Sequence, residues 1–495
     1  MNLLLVLPVL LPLLTGATLL ALARPALRTA RVLAVASVTA QLTVAAVLFT
    51  TAANGLILSY AIGDWPAPFR ITLVLDRLSS LMLLLTALLA LFALLHALGG
   101  VDGRGAGFHA LFQFQLLGLN GAFLTGDLFN LFVFFEILLI ASYTLLLHGG
   151  GASRTRAGLH YVVLNLVGSS LFLVAVGVLY GVLGTLNMAD LAARLAVVPA
   201  TDATLVESAG LLLLVVFGLK AALVPLHFWL VPAYSSATAP VAALFAIMTK
   251  VGVYAIVRVY TLMFGAALVG PWLLWGALVT LTLAAIGVLA SRELRAQIAW
   301  LVVFSVGTLL AGVSQFTGMG ISGALYYLVH TTLVSGGLFL LADLIGAQRR
   351  EGTHLTSGEY PAARRWLAVL FLVGAIAAAG LPPTSGFIGK ALVLQAGLES
   401  SEVTLLWASI LVGSFAVLLA LSRAGSVIFW KSSRAPAAAA AHWLGSIPAA
   451  VLVSAGLWLA LAGGPLTAYT DATAVQLLSR GTYVSAVLGH VKEAP

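Results

Sequence analysis

The chain has 495 residues, 61% of them hydrophobic and only 8% charged, with a mean hydropathy of +1.11. These values exclude a soluble globular domain and predict an all-α polytopic membrane protein with little room for anything else. The net charge of +8 rests on cations in short loops between apolar runs, which points to orientation in a membrane and not to nucleic acid. No Cys is present, which excludes disulfides and thiolate metal or redox sites.

Apolar windows of about 20 residues suffice to span about 30 Å of hydrocarbon. Fourteen are predicted, roughly at 3–22, 32–53, 72–98, 107–125, 128–148, 160–183, 208–230, 240–263, 271–290, 296–316, 319–345, 366–397, 404–430 and 444–464. The first, Leu3 to Leu22, lacks a basic leader and a small-residue cleavage site, so it reads as a span and not as a signal peptide. With the N-terminus outside, the inner loops carry Arg24, Arg28, Arg31, Arg104, Arg154, Arg156, Arg292, Arg295, Arg349, Arg350, Arg364, Arg365, Arg423, Lys431 and Arg434. The outer segments carry mainly Arg70, Arg194, Arg480 and Lys492. That asymmetry follows the positive-inside rule and puts both termini on the outer side of a bacterial plasma membrane. The tail is too polar for another span, and Val475 to Lys492 reads as an amphipathic helix along the interface.

Two windows contain strong breakers. LKAALVPLHFWL places Pro225 and His227 just after Lys220 in the seventh, and GLPPTSGFIGK places Pro382 and Pro383 ahead of Lys390 in the twelfth. An interior Pro removes a backbone bond, and in lipid the freed carbonyls survive only beside protein or a water-filled cavity. The breaks fall five spans apart, as a repeated five-helix unit requires. Discontinuous helices at corresponding places in two halves mark a transporter site.

The ionisable residues at bilayer depth complete this reading. Of the five lysines, Lys220, Lys250 and Lys390 lie inside long apolar stretches, whereas the 19 arginines mostly occupy loops. A desolvated Lys can release its proton and an Arg cannot. Glu136 lies roughly 13 Å into span five at 1.5 Å per residue, with Lys220 as its natural partner at matching depth. Lys250 is too deep in span eight to snorkel. His330 in span eleven is followed by Thr331, Thr332 and Ser335, hydroxyls suited to holding water beside a proton relay. The second half contains no deep acid matching Glu136, since Glu293, Asp343 and Glu399 sit at span ends. Asp76, Asp127 and His227 are terminal, as caps or as path entrances. The row Glu136, Lys220, Lys250, His330, Lys390 reads as proton translocation. No cofactor, metal-ligand cluster, phosphate loop or catalytic nucleophile is indicated.

The segments TGDLFNLFVFFEILLIASY, VPLHFWLVPAYSSATAPVAAL and GLPPTSGFIGK, with LDRLSSLM at span three, closely resemble the antiporter-like membrane subunits. These occur in Mrp-type multisubunit cation/proton antiporters, respiratory complex I and membrane-bound hydrogenases. The form around Glu136 is most similar to the D branch of the Mrp group. The resemblance implies two inverted five-helix repeats, at 107–263 (spans 4–8) and 271–430 (spans 9–13), flanked by spans 1–3 in 1–98 and by span 14 with its tail in 444–495. It implies that protons move past Glu136, Lys220, Lys250, His330 and Lys390, with partners of the A, B, C, E, F and G types and Na⁺ or another monovalent cation exchanged. Many relatives carry a Lys one turn after the His, where Ser335 and Gly336 stand here. The leading expectation is a secondary-transporter subunit and not an enzyme. The alternatives are a proton-pumping subunit of complex I or a hydrogenase, and a structural subunit that has lost transport.

Overall fold

The computed structural model describes residues 2–22, 26–63, 71–432 and 443–489. Arg24, Arg70, Arg434 and Lys492, four of the cations that bear on orientation, lie outside the described residues. The described residues form helices and one antiparallel hairpin, β1 (Leu58–Ile62) with β2 (Ile71–Leu75), in which Leu58 faces Leu75. In chain order the helices are α1 (Leu7–Ala21), α2 (Leu27–Ala53), α3 (Arg77–Ala97), α4 (Phe108–Leu124), α5 (Leu128–Leu147), α6 (Ala152–Leu183), α7 (Met188–Leu195), α8 (Ala200–Ala221), α9 (Leu230–Ser236) and α10 (Ala239–Phe245). They continue with α11 (Met248–Val259), α12 (Ala266–Ala290), α13 (Leu294–Val313), α14 (Gly318–Gly346), α15 (Arg364–Ala379), α16 (Ser385–Ala396), α17 (Val403–Gly425), α18 (Trp443–Leu461), α19 (Gly463–Leu478) and α20 (Arg480–Leu488).

Ten helical stretches among the described residues are long and apolar enough to cross a membrane, and α18 with α19 makes an eleventh if that pair, bent by 82°, counts as one. The windows at 3–22, 107–125 and 366–397 correspond to helices of under 18 residues: α1, α4, and the pair α15 and α16. The stretch from α10 through Phe264 is buried throughout and α14 almost so, whereas α2 and α17 are mostly open on their outer faces. Those outer faces are apolar; that of α6 exposes Leu159, Val163, Leu166 and Val174. Surfaces of this kind suit hydrocarbon and not water. The molecule is therefore a predominantly helical, multi-pass membrane protein.

Two expectations are corrected. The window at 72–98 begins in strand β2, and its helix starts only after Asp76. The alternating, β-branched ITLVL favours a strand. Asp76 then starts α3 through a capping box: its Oδ1 accepts from Ser79 N at 2.9 Å, and Ser79 Oγ accepts from Asp76 N at 2.8 Å. The stretch from Val475 is not one interfacial helix, because it is split between α19 and α20. α19 docks on the bundle, with Tyr469 OH 2.9 Å from Ser80 Oγ and Thr470 Oγ1 2.9 Å from Ser322 Oγ. Tyr483 and Val487 of α20 are buried against protein.

Pro225 and the pair Pro382 and Pro383 lie in true breaks and not in kinks. α8 stops where Ala222 turns left-handed at φ +61°, and Leu223 N closes the end on Gly218 O at 2.8 Å. α15 stops at Gly380, φ +79°, with Leu381 N on Ile376 O at 3.1 Å. The window at 240–263 holds a further interruption, between α10 and α11, and ends in a π-turn at Tyr260–Phe264.

Candidate functional site

In the first half, α5, α6 and α8 bring Glu136 and Lys220 to one polar thread. Ser169 Oγ donates a short hydrogen bond to Glu136 Oε1. One turn earlier on α6, Asn165 Oδ1 accepts from Lys220 Nζ at 3.3 Å. The two titratable groups are thus bridged through α6 and do not form a direct contact pair. The Lys220 ammonium also lies 6.0 Å from the centre of the Phe135 ring, next in sequence to Glu136. A cavity of about 10 Å³, room for about one water, is lined by Asn165, Lys220, Tyr161, Trp229 and Met248. Neutral donors and acceptors close the break itself. Trp229 Nε1 donates to Leu219 O at 3.0 Å, and Thr280 Oγ1 accepts from Val224 N at 3.1 Å.

Gly252 makes the next step possible. A Cβ there would stand 2.4 Å from Ala221 N, so only glycine lets α11 approach the end of α8 this closely. Lys250, two residues earlier on α11, is fully buried and donates to Thr249 Oγ1 at 3.2 Å and to Ser305 Oγ of α13 at 3.0 Å. The residue beside Ser305, Phe304, has its ring centre 5.3 Å from Lys390 Nζ. Helix α13 therefore touches both of these lysines.

In the second half, His330 is buried on α14, stacked on Tyr327, with Nδ1 2.7 Å from Ser385 Oγ. Ser385 is the first residue of α16, immediately after the break. Gly386 follows, and a Cβ there would stand 2.8 Å from His330 Nε2. Lys390 lies one turn further on, so it shares a helix face with the residue that meets His330. Its Nζ donates to Ala379 O and Ser414 Oγ, each at 2.8 Å. The cation thereby occupies the negative C-terminal end of α15. A cavity of about 290 Å³ beside Lys390 opens on the apolar flank past Phe387, Leu411 and Phe415.

Of the hydroxyls expected to serve His330, Thr332 is turned back to Leu328 O at 2.7 Å, and Thr331 and Ser335 are buried nearby on the same helix. The partner found is Ser385. Sequence reasoning also missed Ser169, Asn165, Ser305 and Ser414. A signal for some of them exists: Val-Gly followed by Ser or Thr recurs at 167–169, 306–308 and 412–414, and it picks out Ser169 and Ser414. Arg258 breaks the rule that arginine stays in loops. It is buried on α11 and clamps Asp76 at 2.6 and 2.8 Å. Asp76 and Asp127 both serve as caps, Asp127 Oδ1 accepting from Asn130 N at 2.8 Å. His227 lies in the first break with its ring centre 5.3 Å from that of Trp300.

A multi-pass bundle with buried lysines beside two broken helices is the architecture of a membrane ion translocator. The chain belongs to the transmembrane family described as NADH:quinone oxidoreductase/Mrp antiporter, whose model matches residues 125–418. It is 42% identical over 465 residues to the D-type subunit of the probable K(+)/H(+) antiporter of Rhizobium meliloti (strain 1021), covering 87% of this chain and 86% of the relative. It is 38% identical over 500 residues to the D-type subunit of the Na(+)/H(+) antiporter of Bacillus subtilis (strain 168), covering 99% of this chain and 100% of the relative. A chain in the structure of the Mrp complex from Dietzia sp. DQ12-45-1b matches with a TM-score of 0.89 at 29% identity, covering 99% of this chain and 100% of that one.

Proposed function

We propose that this chain is the proton-translocating subunit of a multisubunit Na⁺/H⁺ antiporter in a bacterial plasma membrane, working as a secondary transporter and not as an enzyme. The observation that carries the reading is the row Glu136, Lys220, Lys250, His330 and Lys390, each with a polar side chain from a neighbouring helix or break. A proton arriving at Glu136 alters the field at Lys220, and the change passes through Lys250 and His330 to Lys390. Fourteen spans with both termini outside, and two inverted five-helix repeats, fit this arrangement. The repeats are α4, α5, α6, α8/α9 and α10/α11, then α12, α13, α14, α15/α16 and α17. Each has its fourth span broken, and Pro225, Pro382 and Pro383 lie in those breaks. His227, Thr331, Thr332 and Ser335 are accessory groups near the path.

The partners are other Mrp-type subunits, and the substrates are protons and a monovalent cation. Relatives named for Na⁺ and for K⁺ are about equally similar, so the cation is set by measurement. The test is antiport in everted vesicles carrying the whole complex, read as collapse of a pH gradient on adding Na⁺ or K⁺. Cation-dependent collapse supports the reading. Proton movement that occurs only with quinone or hydrogen turnover, and never with added cation, assigns the chain to the redox-driven pumps instead.

A further inference from the structure

Three helices outside the lysine row carry an unexplained polar column. On α1, α2 and α4, Thr15 Oγ1 is 3.0 Å from Ser37 Oγ, which donates to Gln113 Oε1 at 3.1 Å. Gln41 Nε2 lies 3.2 Å from Ser37 Oγ and 3.1 Å from Gln113 Oε1. Asn120 Nδ2 continues the column, donating to Gln41 Oε1 at 3.2 Å and to Pro8 O at 2.8 Å. Ser37, Gln41, Gln113 and Asn120 are all buried.

At the other end stands a carboxylate. Asp102, with its side chain fully buried, is held by Arg31 at 2.7 and 2.8 Å and by His109 Nε2 at 3.1 Å. His109 Nδ1 is buried and has no hydrogen-bond partner among the described residues. A cavity of about 230 Å³ reaches Asp102 and His109 between Leu19, Leu27 and Ala30. His109, Gln113 and Asn120 follow one side of α4 over eleven residues, roughly 16 Å of helix axis. A carboxamide bridge that only glued helices together would need one satisfied pair. Here the bonded carboxamides run from Gln113 to Asn120, about 10 Å of α4, and His109, one turn before Gln113, carries the same face on to a cavity with a buried acid.

We propose that α1, α2 and α4 enclose a second polar path, separate from the lysine row, that takes the exchanged monovalent cation. Hard alkali cations select carbonyl, hydroxyl and carboxylate oxygens, and the column supplies carboxamide and hydroxyl oxygens with a carboxylate at its mouth. A cation entering beside Gln113 would meet Gln113 Oε1 and Ser37 Oγ, which stand 3.1 Å apart, with Thr15 Oγ1 3.0 Å beyond. Those three oxygens then form one face of a cation shell. The Arg31 guanidinium, 31% exposed, occupies the mouth at Asp102 as a tethered cation that the ion displaces on entry.

The inference rests on the antiport reading, and its test is the apparent KM for Na⁺ and K⁺ in everted vesicles bearing the whole complex. Gln113→Leu and Gln41→Leu should each raise that KM about tenfold, with maximal rate and complex content close to wild type. Gln113→Glu, which adds a charge at the same place, should lower it. Wild-type KM values for both cations in assembled Gln113→Leu complexes overturn the proposal, as does a fall in maximal rate at unchanged KM. If Gln113→Leu prevents assembly, Gln113→Glu and Ser37→Ala decide by the same readout. A wild-type complex without antiport would instead remove the functional reading itself.

Discussion

The two broken helices solve one physical problem in opposite ways. In the first, Lys220 sits in the last turn of the half-helix before the break and turns away from its carbonyls, to Asn165 on α6. The loose backbone there is satisfied by Trp229 and Thr280. In the second, Lys390 follows the break and reaches back to satisfy Ala379 O itself. The first lysine therefore answers to a carboxylate through a bridging helix, whereas the second is coupled to a backbone end that cannot change its charge. The first site has a cavity for about one water, and the second opens on about 290 Å³. In the proposed function, the first half is the switch and the second the port.

The largest effects should come from removing charge at either end. Glu136→Ala and Lys390→Ala should each lower exchange more than about a hundredfold in vesicles containing normal amounts of complex. Substantial exchange by Lys390→Ala would reduce the second half to scaffold. Lys390→Arg should be nearly as damaging, because arginine keeps the charge but holds its proton. A fully active Arg variant would mean that the α15 terminus needs only a fixed cation.

His330→Ala should cost about a hundredfold, and Ser335→Lys should restore part of it by placing a cation about one turn after the imidazole. Asn165→Leu tests the switch without touching a charge. Hydrogen bonds to charged groups are worth about 1.5–3 kcal/mol, so a loss of roughly ten- to a hundredfold is expected. Wild-type rates would show that Lys220 answers to Glu136 directly. The smallest effect is expected from Ser169→Ala, which removes one neutral donor from Glu136. The acceptor is a carboxylate, so its scale is the lower end of that range, about 1.5 kcal/mol or roughly tenfold in rate. An unchanged rate in that variant would take α6 out of the coupling.

Much of this was legible without coordinates. Lys220, Lys250 and Lys390 stood out because a cation in an apolar window is costly wherever the window packs. Both breaks were visible in Pro225 and in the pair Pro382 and Pro383. The partners were not. Asn165, Ser169, Ser305 and Ser414 are ordinary residues in membrane helices, and nothing local distinguishes them from hydroxyls bonded to their own backbone. Thr331 and Thr332 attracted attention because they adjoin His330 in sequence, but one helical step turns a neighbour about 100° away. Arg258 was missed because Asp76, its partner, lies 182 residues away.

The sequence by itself determined the class of protein, the depth of its charges and the position of its two breaks. Those features follow from hydrocarbon thickness and from the cost of a charge or a proline in a single helix, terms that act on each segment alone. Tertiary structure decided which group answers which. Lys220 with Asn165, Lys250 with Ser305, and His330 with Ser385 are each separated by 55 residues and meet only when helices pack. Glycines 252 and 386 decide how closely those helices approach, and contact at that range is a property of two surfaces together.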